Sequence, residues 1–210
     1  MIKFIESIRV VDGVAHHLDY HFKRFSRTIK HHFKRFSRTI RHHYNSQDEE
    51  DLYGFVSEIL SKERDVIKKG VFKLRVIYSN KILSFTIDPY QPKLIKTLRL
   101  VEDNNIRYPF KYEERSEIDK NFTMRNGCDD VLIVKEGEIT DTSYCNVVFE
   151  KGRILYTPVS YLLPGTARER MINEGLLNEI KIRPCDISRY DKVYLINSML
   201  DLYPVDSILL

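Results

Sequence analysis

Apolar and polar residues alternate over several stretches of the chain, which predicts strands with one buried face. The longest such stretch runs from Cys128 to Arg168. Its alternating apolar positions are Val131, Ile133, Ile139, Val147, Phe149, Ile154 and Tyr156. Turn residues are present at Glu136-Gly137 and Lys151-Gly152. The pattern therefore predicts two consecutive antiparallel hairpins.

The same pattern assigns the other elements of the chain. It predicts strands at 3–11, 72–78, 82–87, 98–101, near 180 and at 192–196. Helical periodicity predicts helices from residue 18, and over 49–69, 113–125 and 166–174. Strands grouped apart from helices favour an α+β, or mixed α/β, fold. A polar break at 102–105 predicts a domain boundary there, with an N-terminal α/β domain at 1–104 and a C-terminal domain at 105–210.

The first predicted helix contains a tandem repeat. Residues 21–31 (HFKRFSRTIKH) recur almost unchanged as residues 32–42 (HFKRFSRTIRH). Eleven residues are close to three helical turns, so the second copy lengthens the helix by roughly 16 Å and keeps its apolar stripe nearly in phase. Each copy carries four Lys or Arg and no acid, so removing one copy would take the net charge from +4 to 0. Because the basic charge is local, nucleic acid is not the expected partner.

Composition and residue distribution indicate a globular protein of the cytoplasm. Of the 210 residues, 42% are hydrophobic and 30% are charged, which is ordinary for a soluble domain. The sequence shows neither a signal-peptide pattern nor an apolar run long enough to span a membrane. Three widely spaced cysteines suit reduced thiols better than disulfides or a zinc site. All seven histidines lie between His16 and His43, which favours a solvated basic helix over a metal site.

A polar run separates the two predicted hairpins. It spans Asp141 to Asn146, and Pro164-Gly165-Thr166 opens the helical pattern that follows the second hairpin. Polar groups placed where a sheet would otherwise bury apolar side chains indicate a functional site.

These motifs follow one another in an order that resembles a known family. The order is Lys111, then Asp-Asp-x-Leu-x-x-x-x-Gly-x-Ile-x-Asp-x-x-x-x-Asn-x-x-Phe (129–149), Tyr-Thr-Pro (156–158), Gly-Thr-Ala-Arg (165–168) and Ile-Asn-Ser-Met (196–199). The N-terminal segment at 4–13 and the Leu-Asp-x-His-x-x-Arg motif at 18–24 belong to the same pattern. Together they resemble the class IV aminotransferases, pyridoxal-phosphate enzymes that include branched-chain and D-amino-acid aminotransferases and 4-amino-4-deoxychorismate lyase. The lyase branch is the most similar, through the N-terminal segment and Asn197-Ser198-Met199.

The resemblance implies a two-domain fold of the D-amino-acid aminotransferase type, with pyridoxal 5'-phosphate in the cleft and a homodimer as the assembly. It implies that Lys111 holds the cofactor covalently and moves protons, whereas from sequence alone Lys111 would be a solvated loop residue. Asp141 falls where the family has a Glu, five residues before Asn146, and a carboxylate there keeps the pyridine nitrogen protonated. Because Asp is shorter than Glu, the cofactor would have to lie closer or accept a longer contact. The alternative for Asp141 is a turn-forming role.

The resemblance also assigns the phosphate contacts. Thr166 and Ala167 would offer backbone N–H groups at a helix start, where anions bind well. Family members usually have Ile-Thr at this position, so the Thr hydroxyl has moved by one residue. Ser198 matches the second phosphate contact, with helix capping as its alternative. Arg24 matches the phosphate arginine, and its spacing from Glu6 favours it over Arg35, its equivalent in the second copy, which is assigned to solvent.

Three functional hypotheses follow. The first is a 4-amino-4-deoxychorismate lyase, which releases pyruvate and 4-aminobenzoate in folate biosynthesis. The second is an amino-acid aminotransferase on the same scaffold, since the two activities share every site residue named above. The third is a non-catalytic homologue, which would not require Lys111, Asp141 and a phosphate-binding helix start to be retained together. A small amino compound is the expected substrate in the first two cases.

Overall fold

The computed structural model describes residues 1–43 and 52–209, with side chains for 1–33 and 52–209. The chain forms two compact units, Met1–Gln91 and Pro92–Leu210.

The first unit combines an antiparallel sheet with helices. Its strands are β1 (Phe4–Val11), β2 (Val14–Ala15), β3 (Val71–Tyr78) and β4 (Ile82–Pro89), in the spatial order β2-β1-β3-β4. Its helices are α1 (Leu18–His43) and α2 (Leu52–Lys62). Helix α1 runs through both copies of the repeat without a break. The helix predicted over 49–69 ends earlier, at Lys62, and residues 49–51 lie outside the described residues.

The second unit is built around a larger mixed sheet. Its strands are β5 (Thr97–Glu102), β6 (Asp130–Lys135), β7 (Glu138–Thr142), β8 (Asn146–Lys151), β9 (Ile154–Pro158), β10 (Asn178–Ile180), β11 (Lys192–Asn197), β12 (Leu200–Val205) and β13 (Ser207–Leu209). The main order is β10-β9-β8-β7-β6-β5-β13, and β11 pairs with β8 and β12. Helices α3 (Ser116–Thr123) and α4 (Thr166–Asn173) and a 3₁₀ helix (Pro184–Arg189) complete the unit. The outcome is the mixed α/β fold that the sequence predicts.

The two predicted hairpins form, with one turn shifted by a residue. Strands β6 and β7 are antiparallel, and Glu136 and Gly137 both have positive φ, as a tight two-residue turn requires. Strands β8 and β9 are also antiparallel, but the residues with positive φ are Gly152 and Arg153 rather than 151–152. Residues Val131–Val134 are buried on both faces, which fits a central strand better than simple alternation does.

The boundary between the two units differs from the predicted boundary at 104/105. Strand β5 pairs in parallel with β6, with Leu98 opposite Asp130, and therefore belongs to the second unit. The polar break that suggested a linker is a turn, because Asp103 Oδ1 accepts the N–H groups of Asn105 (2.9 Å) and Ile106 (3.1 Å). A local polar run marks both turns and linkers, and only the strand pairing separates them.

Within residues 1–43 and 52–209, every helix is too short or too polar to cross a lipid bilayer. The same part of the chain contains no group of three or more His, Cys, Asp or Glu side chains arranged to hold a metal ion.

Candidate functional site

The polar run between the hairpins forms a fixed turn at one end of the larger sheet. Asp141 ends its ladder opposite Asn146, so β7 and β8 meet at these two residues. Arg115 Nη2 donates a hydrogen bond to the Ser143 carbonyl at 2.9 Å, and its guanidinium lies 4.4 Å from the Tyr144 ring centroid. The Cys145 N–H donates to Thr142 Oγ1 at 3.0 Å. The turn is therefore held by side chains on both sides.

Asp141 is a buried carboxylate with defined hydrogen-bond donors. Its Oδ1 accepts Asn146 Nδ2 at 2.7 Å, and its Oδ2 accepts the N–H groups of Leu162 at 3.0 Å and Leu163 at 2.9 Å. Burial raises the pKa of Asp141 to about 6, against the opposing effect of these hydrogen bonds and of the Arg168 charge. The group therefore takes up a proton at a higher pH than an exposed aspartate does.

Asn146 connects this carboxylate to the start of helix α4. In addition to Asp141, its Nδ2 donates to the Leu163 carbonyl at 3.0 Å. Its Oδ1 lies so close to Gly165 that a Cβ built on Gly165 would be 2.0 Å away. Gly165 has φ −68° and ψ 142°, which any residue can adopt, so the requirement for glycine here is one of space. The close approach sets the position of the helix start relative to β8.

The start of helix α4 presents backbone donors at the same end of the sheet. Gly165 caps the helix, and the first described helical bond runs from the Glu169 N–H to the Gly165 carbonyl at 2.9 Å. The N–H groups of Thr166 and Ala167 lie too early in the helix to donate to a carbonyl of the same helix. Together with the helix dipole, they favour an anion. The side chains of Thr166 and Ala167 are both buried. Backbone N–H groups at a helix start can bind an anion.

Strand β11 brings Ser198 to this end of the sheet. Ile196 pairs with Asn146, and it packs in one apolar cluster with Met171 of helix α4. Ser198 follows in the turn before β12 and is half-buried. The turn is shaped by Asn197, whose Oδ1 accepts the N–H groups of Met199 at 2.8 Å and Leu200 at 3.0 Å.

Lys111 lies in the loop before helix α3 and is half-buried. Its charge acts on the buried thiol of Cys145 in the polar turn. Burial raises the pKa of Cys145 to about 12, and the charge of Asp130 acts in the same direction, whereas a hydrogen bond from Asn197 and the charge of Lys111 oppose the rise. Asn197 Nδ2 is 3.1 Å from Cys145 Sγ. Lys111 is thus near enough to the turn for its charge to act on the thiol.

The structure therefore brings together most of the predicted site residues within the second unit. These are Asp141, Asn146, Thr166, Ala167 and Ser198, and the charge of Lys111 acts on the thiol of Cys145 beside Asn146. Reasoning from sequence missed four residues that shape the same region, namely Arg115, Cys145, Arg168 and Asn197. Arg168 and Asn197 stand inside the quoted motifs, but no local signal shows their partners, which come from distant segments.

Arg24 belongs to the first unit, where it forms a buried ion pair. Its Nε and Nη2 donate to Glu6 Oε1 at 3.0 Å and Oε2 at 2.5 Å, and His21 Nδ1 lies 2.6 Å from Oε2. Burial alone would raise the pKa of Glu6, but the Arg24 charge and the hydrogen bonds from His21 and Arg24 outweigh it and lower the pKa to about 2. A phosphate contact of Arg24 stays a prediction. The side chain of Arg35, its equivalent in the repeat, lies outside the described residues.

Sequence comparison associates this region with one family. Residues 116–208 match the family model described as amino-transferase class IV. A relative from Haemophilus influenzae, named "Uncharacterized protein", is 35% identical over 133 residues, which cover 63% of this chain and 71% of the relative.

Solved structures show the same fold over almost the whole chain. A "putative 4-amino-4-deoxychorismate lyase" from Haemophilus somnus matches with a TM-score of 0.80 at 22% identity, covering 96% of this chain and 98% of that one. A "hypothetical aminotransferase" from Mycobacterium tuberculosis, in its PLP-bound form, matches with a TM-score of 0.71 at 17% identity, covering 98% and 81% of the two chains.

Proposed function

Because the chain belongs to the class IV aminotransferase family, we propose that it is a pyridoxal-phosphate-dependent 4-amino-4-deoxychorismate lyase. The observation that supports the proposal is the link from the buried carboxylate of Asp141 through Asn146 to the start of helix α4, with the charge of Lys111 acting on the neighbouring Cys145. The lyase assignment is supported by the Asn197-Ser198-Met199 motif and by the similarity to the Haemophilus somnus structure that bears this name.

The residues of this region fit the cofactor at both of its ends. The N–H groups of Thr166 and Ala167, with the hydroxyls of Thr166 and Ser198, would bind the phosphate. Asp141 would face the pyridine nitrogen. A carboxylate has about four acceptor positions, and three are used by Asn146, Leu162 and Leu163. The fourth is left for the protonated ring nitrogen, whose positive charge would further favour the ionised carboxylate.

The cofactor, when bound, supplies an electron sink that stabilises negative charge at the substrate carbon bearing the amino group. The chain supplies the proton transfer. Lys111 Nζ would accept the proton from that carbon, the bond between the neighbouring ring carbon and the ether oxygen would break, and Lys111 would deliver the proton to the methylene carbon of the departing enolpyruvyl group, so that pyruvate leaves and the ring becomes 4-aminobenzoate. The buried thiol of Cys145, to which Asn197 Nδ2 donates a hydrogen bond at 3.1 Å, is close enough to Lys111 to feel its charge.

Cofactor binding through Lys111 is tested by absorbance. The purified protein, or the protein incubated with pyridoxal phosphate, should be yellow, and Lys111→Ala should abolish this absorbance. Lys120→Ala, an exposed lysine in helix α3, is the matched control and should leave it unchanged. A wild-type protein that stays colourless, or a Lys111→Ala variant that keeps the full absorbance, would refute the proposal in favour of a non-catalytic homologue.

An amino-acid aminotransferase is the second candidate, favoured by the match to the PLP-bound aminotransferase structure. It would use the same lysine, carboxylate and phosphate contacts, so a different assay is needed. Pyruvate release from aminodeoxychorismate should be compared with keto-acid formation from branched-chain and D-amino acids. Activity in the second assay alone would replace the lyase with the aminotransferase.

Two further properties belong to the proposal. The substrate would be a small amino compound. The active form would be a homodimer, which sedimentation of the holoenzyme tests directly. A cytoplasmic location is supported by the free thiols of Cys128, Cys145 and Cys185.

A further inference from the structure

Arg168 is a charged residue that the proposed chemistry does not use, yet it is almost fully buried. It lies in the first turn of helix α4 and is 5% exposed. A buried guanidinium is costly unless it finds partners. Its Nη2 donates to the Pro158 carbonyl at 2.9 Å and to Glu179 Oε1 at 2.5 Å, and its guanidinium carbon lies 4.3 Å from the Tyr161 ring centroid. Among the described residues, its Nε has no hydrogen-bond partner.

The bond from Arg168 to Pro158 joins the two ends of the segment that connects strand β9 to helix α4. Pro158 ends strand β9, and helix α4, which carries Arg168, begins at Thr166. The connecting segment 159–165 has no regular secondary structure, so its shape depends on side-chain contacts. Glu179, which accepts a hydrogen bond from the guanidinium, lies in strand β10, the strand that follows helix α4 in the chain. One side chain thus ties the helix to the strand before it and the strand after it.

The same connection supplies the donors that hold Asp141. The N–H groups of Leu162 and Leu163 both bind Asp141 Oδ2, and the Leu163 carbonyl accepts the Asn146 amide. A shift of the connection would therefore move the donors away from the carboxylate and displace the helix start that follows it. The positive charge of Arg168 also acts on Asp141 directly and favours its ionised form.

We propose that Arg168 is a positioning residue, which holds segment 159–165 so that Asp141 faces the ring nitrogen of the cofactor and the N–H groups of Thr166 and Ala167 face its phosphate. This inference rests on the proposed function. It assigns a role in the cofactor site to a side chain that contacts neither the substrate nor the cofactor.

The groups that face Asp141 determine the expected pH dependence. They are the Asn146 amide from β8, the N–H groups of Leu162 and Leu163, and the charge of Arg168 from α4. Removing Arg168 withdraws the cation and loosens two donors, so the pKa of Asp141 should rise further above its ordinary value. Asp141 would then need a higher pH to be ionised. As the pH is lowered, cofactor binding that needs the carboxylate should therefore be lost earlier, at a higher pH than in the wild-type protein.

The test compares Arg168→Met and Arg168→Lys with Arg170→Met. Arg170 lies on the same helix but pairs with Glu174 at 2.8 Å and Asp201 at 3.6 Å, so it is the matched control. The affinity for pyridoxal phosphate is measured by absorbance titration between about pH 5.5 and 8.5, with urea unfolding of each cofactor-free protein. Arg168→Met should weaken binding about tenfold at pH 7, as expected for one charge-assisted hydrogen bond, and move the acid limb upward. Arg168→Lys should restore part of the loss, and Arg170→Met should resemble wild type.

A second comparison separates this role from general loosening of the fold. In the Asp141→Asn background there is no carboxylate to titrate, so Arg168→Met should no longer shift the pH profile. A shift of the same size in that background would overturn the inference, as would an Arg168→Met protein with wild-type affinity and pH profile. If Arg168→Met does not fold, Arg168→Lys carries the same comparison. Failure of the wild-type protein to bind pyridoxal phosphate would refute the proposed function itself, which is a different outcome.

Discussion

Substituting Gly165 with alanine adds a single methyl group at the point where helix α4 approaches strand β8. The new Cβ would lie 2.0 Å from Asn146 Oδ1 and 3.2 Å from its Cγ. The backbone at Gly165 is extended, with φ −68°, so alanine meets no conformational penalty there. The whole effect of Gly165→Ala should therefore come from the collision with Asn146.

The size of the effect follows from what Asn146 holds. A normal contact begins at 3.4 Å, so the amide and the helix start must separate by about 1.4 Å (3.4 − 2.0). That movement breaks the bonds from Nδ2 to Asp141 Oδ1 (2.7 Å) and to the Leu163 carbonyl (3.0 Å). A hydrogen bond to a charged group contributes about 2 kcal/mol and a neutral one about 1 kcal/mol, so the free energy of unfolding should fall by about 3 kcal/mol.

The assay is urea unfolding of the cofactor-free protein, arranged as a double-mutant cycle with Asn146→Ala. Once Asn146 is truncated, the methyl group has room, so Gly165→Ala should then cost less than about 1 kcal/mol. Gly175→Ala is the control: its added Cβ meets open space, but φ +71° should cost about 1–2 kcal/mol without affecting affinity for pyridoxal phosphate. An equal cost of Gly165→Ala in both backgrounds would show that steric contact with Asn146 is not the cause.

Three other predictions concern both units. The pKa of Glu6 is lowered from 4.5 to about 2, so the ionised carboxylate should contribute about 3 kcal/mol to the free energy of unfolding. This contribution should be complete above about pH 4.5 and lost as the pH falls through 2. Urea unfolding at several pH values should show this loss in acid, and Glu6→Gln should lack it. Arg24→Ala should lower cofactor affinity more than Arg35→Ala does. It should also destabilise the fold by about 3–5 kcal/mol, because it leaves Glu6 buried without its cation. A larger loss of affinity for Arg35→Ala would assign the phosphate contact to Arg35 instead. Ser198→Ala should weaken binding of pyridoxal phosphate by about 1 kcal/mol. It should leave unchanged the binding of pyridoxal, which has no phosphate. Equal losses for both ligands would exclude a contact between Ser198 and the phosphate.

Local patterns predicted most of the elements that build the site. Alternation and turn residues placed the two hairpins, and the motif at 165–168 placed the start of helix α4 at Thr166. The resemblance singled out Asp141, which ends strand β7 opposite Asn146, and Lys111, whose charge acts on the neighbouring Cys145 thiol; their joint role in a cofactor site stays a prediction. The second turn lies one residue later than predicted and helix α2 ends at Lys62 rather than at 69, because neighbouring residues there have similar turn and helix preferences.

The domain boundary shows where local patterns are insufficient. The polar residues at 102–105 have the composition of a linker, but they form a turn after a strand that pairs in parallel with β6, about thirty residues later in the chain. Parallel pairing needs a long crossover, and its hydrogen bonds leave no periodic trace in either strand alone.

The sequence by itself determined the alternating strands, the repeat that continues helix α1 and the residue types suited to a phosphate-bearing cofactor, because each depends on neighbours within a few positions. Only the tertiary structure decided which polar groups meet. It pairs Arg24 with Glu6, sets Asn146 against Gly165 and inserts Arg168 between Pro158 and Glu179. It also decided the charge state of Asp141, because the pKa of a carboxyl depends on burial and on donors from distant segments. These contacts join residues far apart in sequence, where neither spacing nor composition shows the partner.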